Sequence, residues 1–93
     1  MLVPNRVIRQ VARRIAELRQ RAGLTQQALA ERLGVGWRYV ARIERGLNLT
    51  LSSLTRIANA LGVPIRRLLD PPRADSLKTR TGRPKKKRPQ VRR

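Results

Sequence analysis

LTQQALAERLGVGWRYVARIERG, residues 24–46, decides the fold. Thr25 stands where a hydroxyl can accept an amide hydrogen of a helix's first turn, and Ala28, Leu29 and Leu33 follow at the spacing of one buried helical face. Gly34 breaks that helix, and Val35-Gly36 leaves only a short turn before Trp37–Arg45, where Val40 and Ile43 share a face. Gly46 closes the second helix. Two short helices across a Gly-Val-Gly turn, in a strongly basic chain, describe a helix-turn-helix reader of DNA.

The flanks continue the helical pattern. Upstream, Ile8, Val11, Ile15, Leu18 and Ala22 recur at steps of three or four, and Gly23 ends that helix. Downstream, Thr50 caps a fourth helix with Leu51, Leu54, Ile57, Ala58 and Leu61 inward and Gly62 as terminator. Pro64 admits a last short turn carrying Ile65, Leu68 and Leu69. The expectation is an all-α domain of five short helices with no strand.

Charge separates this domain from the C-terminal segment. The chain has 93 residues with 23 Lys and Arg against 5 Asp and Glu, a formal net charge of +18. Residues 71–93 hold ten basic residues against Asp75, while the first 70 hold thirteen arginines against four acids. The tail also contains four of the six prolines and only two aliphatic residues larger than alanine, too little to bury a core. A boundary is expected at Asp70-Pro71-Pro72, with a helix-turn-helix domain over 1–70 and an extended, disordered basic arm over 71–93.

Composition narrows function. Such a charge calls for an anionic partner. The chain has no cysteine and no histidine, which excludes disulfides and thiolate metal sites and removes the commonest general base. Glu17, Glu31, Glu44 and Asp70 belong to separate helices or their ends, with no catalytic partner evident in the sequence, so no enzyme is expected. No cofactor, metal or small-molecule ligand is expected either. The chain lacks an apolar run of about 18 residues and the apolar core of a secretory signal, which points to a cytoplasmic protein associated with the nucleoid when on DNA, not with a membrane.

LRQRAGLTQQALAERLGV (18–35), YVARIERG (39–46) and LTRIANALGVPIRRLL (54–69), in this order and spacing, resemble the phage-repressor and Cro-like (Xre-type) helix-turn-helix family over roughly residues 6–69. The resemblance implies a compact five-helix fold of the lambda-repressor kind, whose third helix, Trp37–Arg45, enters the major groove. It assigns base contact to Trp37, Arg38 and Arg42. Arginine's planar fork matches guanine O6 and N7, so Arg38 and Arg42 imply at least one G per half-site, while the Trp37 indole suits a thymine methyl or a sugar. A phosphate contact remains the alternative for the two arginines.

Phosphate contact is expected of Gln26, a backbone clamp in the family, and of Tyr39, Arg45, Asn48 and Thr50, with the Tyr39 ring also flanking the core. The matching positions of Arg19 and Glu44 pair between the first and third helices in the family, so these two are read as a structural ion pair. Two departures stand out: the loop Leu47-Asn48-Leu49-Thr50 contributes no charge, and Gly36 replaces a serine-like cap. In the tail, TRTGRPKKKRP resembles the AT-hook, a minor-groove binder, but Thr81 stands where that pattern has its first arginine. Arg80, Arg83, Lys85, Lys86, Lys87 and Arg88 are the tail's candidate DNA contacts, as a hook or as a plain polycation. PKKKR also resembles a nuclear import signal.

Together these features imply a sequence-specific regulator of transcription, a repressor by family, acting on double-stranded DNA as a homodimer through Leu49, Ile65, Leu68 and Leu69. An antitoxin-type autorepressor with a protein partner such as a toxin, and a coating protein binding nucleic acid by charge alone, remain open.

Overall fold

The computed structural model describes residues 1–72, which form five α-helices and, among the described residues, no strand. They are α1 (Pro4–Arg21), α2 (Gln26–Leu33), α3 (Trp37–Gly46), α4 (Leu51–Leu61) and α5 (Arg66–Leu69). Helix α1 lies against α3 and α5, α2 against α3 and α4, and α4 against α5. The core they enclose includes Ile15, Leu29, Val40, Ile43, Ile57 and Leu68, all essentially without solvent contact.

Helix boundaries follow local chemistry. Thr25 accepts from the Ala28 amide and Thr50 from the Ser53 amide, each satisfying a first-turn donor that the helix itself leaves unpaired. At the C-terminal ends of α2 and α4, Gly34 and Gly62 take φ of 72° and 73°, a left-handed conformation that a Cβ disfavours. The next residue then folds back: Val35 N–H donates to Ala30 O and Val63 N–H to Ala58 O, both at 3.0 Å, while the two valine side chains pack on the core.

Two polar fastenings are not visible in the sequence. Buried Arg14 pairs with buried Glu17 one turn along α1, donates from Nε to Arg67 O at 2.9 Å, and lies 3.8 Å from Asp70 Oδ2. It thereby ties α1 to α5, and it joins two carboxylates that lie far apart in the chain. Arg32 on α2 donates to Ala60 O near the end of α4 (2.9 Å), and Arg56 on α4 donates to Leu33 O at the end of α2 (2.7 Å). Each guanidinium meets the negative end of the other helix.

Three expectations about apolar residues require correction. Leu68 is fully buried, so it belongs to the monomer core and not to an interface. Leu51 has the three-residue spacing of the α4 face but is 74% exposed, because it is the helix's first residue and nothing covers it. Ala22, expected on the α1 stripe, is the exposed cap beyond the last turn.

Candidate nucleic-acid interface

Helix α3 is the most sharply divided element. Val40 and Ile43 are buried against α1 and α2, while Trp37, Arg38, Ala41, Arg42 and Arg45 line one shallow depression on the opposite side. Trp37 is 49% exposed, and the Arg38 guanidinium stands 5.8 Å from the centre of its ring, a cation–π distance. Among the described residues, Arg38, Arg42 and Arg45 have no ion-pair partner. Gly36 precedes the helix, and its extended backbone (φ −76°, ψ 155°) has cap geometry without a capping side chain.

Glu44 fixes this helix to its scaffold. Arg19 Nε donates to Glu44 Oε2 at 2.6 Å and Arg19 Nη2 to Oε1 at 3.1 Å, a two-pronged pair between α1 and α3. Arg19 Nη1 also donates to Leu24 O at 2.8 Å, in the turn before α2. The same carboxylate receives a hydrogen bond from Gln26 Nε2 at 3.1 Å. Gln26 is therefore held in place at the first turn of α2, beside Trp37, Thr25 and Gln27 around a second open depression. One carboxylate thus orients both α3 and the residue expected to clamp the backbone, which couples two positions that the sequence presents as separate.

The remaining expected contacts divide. Arg45 and Asn48 are exposed and share a depression with Asn5, Ile8, Arg9 and Gly46. Tyr39 is half-buried and packed on the core, lining a small cavity with Leu33, Val35, Ser53, Arg56 and Ile57. Thr50 is exposed, and its hydroxyl accepts from Ser53 N–H at 3.0 Å and lies 3.1 Å from Ser53 Oγ as part of the α4 cap. Of the expected interface leucines and isoleucine, Leu69 is 54% and Ile65 36% exposed, and Leu49 packs partly on the core. Arg80, Arg83, Lys85, Lys86, Lys87 and Arg88 lie outside the described residues.

Among the described residues, no cluster of His, Cys, Asp or Glu could hold a metal ion, and no helix is long and apolar enough to cross a membrane.

The family model described as "Helix-turn-helix" matches residues 15–68. Among solved structures, the restriction-modification controller protein C.AhdI from Aeromonas hydrophila is similar at 35% identity and a TM-score of 0.62, over 66% of this chain and 94% of that one. SinR, a master regulator for biofilm formation solved in complex with DNA, is similar at 32% identity and a TM-score of 0.59, over 64% and 98%. A transcriptional regulator from Vibrio cholerae matches at 28% identity and a TM-score of 0.67, over 71% of this chain and 38% of that longer protein. Comparison with curated proteins found no match.

Proposed function

We propose, from the premise that this chain belongs to the helix-turn-helix family, that it is a transcriptional regulator which binds double-stranded DNA and reads the major groove with the open face of α3. The observation carrying this reading is the division of α3 itself: its apolar residues are spent on α1 and α2, and Trp37, Arg38 and Arg42 stand together on the outside. A major groove about 12 Å wide accepts a helix presented in this way. SinR, similar over most of its own length, was solved on DNA, which supports DNA as the partner.

In this reading Arg42 and Arg38 form paired hydrogen bonds to guanine O6 and N7, and Trp37 packs its indole on a thymine methyl or sugar. Gln26, Tyr39, Arg45 and Asn48 position the domain on phosphates and carry no sequence information. One short helix reads few bases, so two copies meet through Ile65, Leu69 and Leu49 and set half-sites about 34 Å apart. Occupancy of such a paired site blocks transcription, which makes the regulator a repressor. The basic arm adds affinity through phosphates as a plain polycation, with insertion of Arg83 into an A·T-rich minor groove as the alternative.

Selection of binding sites from random DNA tests the reading, with Arg42→Ala beside the intact chain. The expected result is a pseudo-palindrome with G in each half, on which Arg42→Ala costs about 1 to 3 kcal/mol and relaxes one position per half-site. No preferred sequence, with equal binding to all DNA, would refute it.

A further inference from the structure

The first turns of α1, residues 4–14, precede the segment matched by the family model and carry a charge pattern that α3 does not explain. Arg6, Arg9 and Arg13 follow steps of three and four, which places them on one helix face. All three are exposed, have no side-chain hydrogen bond or ion pair among the described residues, and surround one depression together with Gln10 and Pro72. No acidic residue precedes Glu17 in the chain, so the first turns of α1, up to Ala16, carry positive charge alone.

Arg9 also belongs to the edge of the reading face. It shares a depression with Asn5, Arg45 and Asn48. A Cβ built on Gly46 would lie 3.7 Å from Arg9 Cγ and 3.8 Å from Ile8 Cγ2, so the α1 side chains pass directly over the end of α3. The cationic surface is therefore continuous from Arg42 and Arg45 on α3, through Arg9, to Arg6 and Arg13 on α1. Five guanidinium groups gathered in this way repel one another weakly in water, and a polyanion laid across them removes that repulsion.

We infer that Arg9 with Arg45 and Asn48, extended by Arg6 and Arg13, forms a second grip on the DNA backbone, on phosphates flanking the groove that α3 enters. The inference rests on the α3 reading above. From Arg6 to Arg13 the helix rises about 10 Å, the axial length of about three phosphates on one strand. A small-molecule anion would not span this stripe. Pro72, the last described residue before the basic segment, lies in the same depression.

The test uses the full chain and a core site selected by the intact protein. The variants are Arg9→Gln, the triple Arg6→Gln/Arg9→Gln/Arg13→Gln, and the triple with lysine at the same positions, each checked for helix content and thermal unfolding. The glutamine triple is expected to lose about tenfold or more in affinity on every sequence. Its dependence of log affinity on log salt should become shallower by about 0.9 for each arginine that meets a phosphate, with protection lost at backbone positions flanking the half-site. The selected core sequence stays the same, Arg9→Gln alone shows the largest single share, and the lysine triple retains the slope. An unchanged slope and footprint in a folded glutamine triple overturn the inference while leaving α3 as reader, and would assign the stripe to solvent or to an acidic protein. Failure of the intact chain to select any sequence overturns the α3 reading and this inference together.

Discussion

Removing Arg19 tests whether α3 is held by a buried charge pair. The two side chains are 12% and 7% exposed, and the guanidinium satisfies both Glu44 oxygens and the Leu24 carbonyl. Arg19→Met keeps the aliphatic stem but leaves Glu44 with only the Gln26 amide and leaves Leu24 O without this donor. Truncating one side of such a pair costs about 3 to 5 kcal/mol, because the remaining charge stays in a poorly solvated site. A domain of this size has a total stability of roughly 4 to 11 kcal/mol, so a large part of it should disappear. The midpoint of thermal unfolding, followed by circular dichroism, should fall by at least about 12 °C. Arg19→Met combined with Glu44→Leu removes both charges and should recover most of the loss, which isolates the coupling between the two. A single-variant loss below about 1 kcal/mol, the value of an exposed pair, would refute the reasoning, as would a double variant no better than the single.

Other substitutions probe the remaining parts. Gly36 has open space around its missing Cβ and already has cap geometry, so Gly36→Ser should stabilise the domain by a few tenths to about 1 kcal/mol in urea unfolding; destabilisation would mean that the turn needs glycine. Leu68→Ala should cost about 2 to 5 kcal/mol in the same assay, whereas Leu69→Glu should leave monomer stability nearly unchanged and weaken self-association in sedimentation, and equal effects at the two positions would contradict their opposite burial. Deleting residues 73–93 should weaken binding to all sequences alike and reduce the salt slope without changing the core site, while Arg83→Ala should abolish any preference for A·T-rich flanks and Lys86→Ala should not. An unchanged slope after deletion would remove the arm from the interface.

The five helices can be read from the chain because their ends depend on neighbours in sequence. Thr25 and Thr50 need only their own first turns, and Gly34 and Gly62 only their local φ. Burial depends instead on what returns from elsewhere. Leu68 and Leu69 are equivalent as sequence symbols, yet one is sealed into the core and the other is open, since a four-residue helix has room to bury only one side. Arg14 and Glu17 look like a solvated surface pair at a spacing of three until α5 closes over them and supplies the Arg67 carbonyl. The candidate reading face is legible for the opposite reason: α3 needs two apolar residues inside, so its other positions point outward whatever the rest of the fold does. The Arg9–Arg45 proximity is not legible, because it requires the crossing of α1 over the end of α3.

That distinction also sorts the arginines. Among the described residues, Arg14, Arg19 and Arg67 have carboxylate partners, and Arg32 and Arg56 donate to helix-end carbonyls. Three of the four acids before Pro71 take part in ion pairs, and Glu17 and Glu44 do so with little access to water. Negative charge is thus used largely to fasten helices together, which leaves the outward arginines of α1 and α3 unneutralised. Two exposed guanidinium groups repel by only about 1 kcal/mol at 4 Å in water, and salt screens them within about 8 Å. The fold tolerates this arrangement in solution, but a polyanion laid across both helices removes the repulsion and releases its own counterions. The same acids that stabilise the domain therefore sharpen its preference for nucleic acid, by leaving few carboxylates outside to compete for the cationic face.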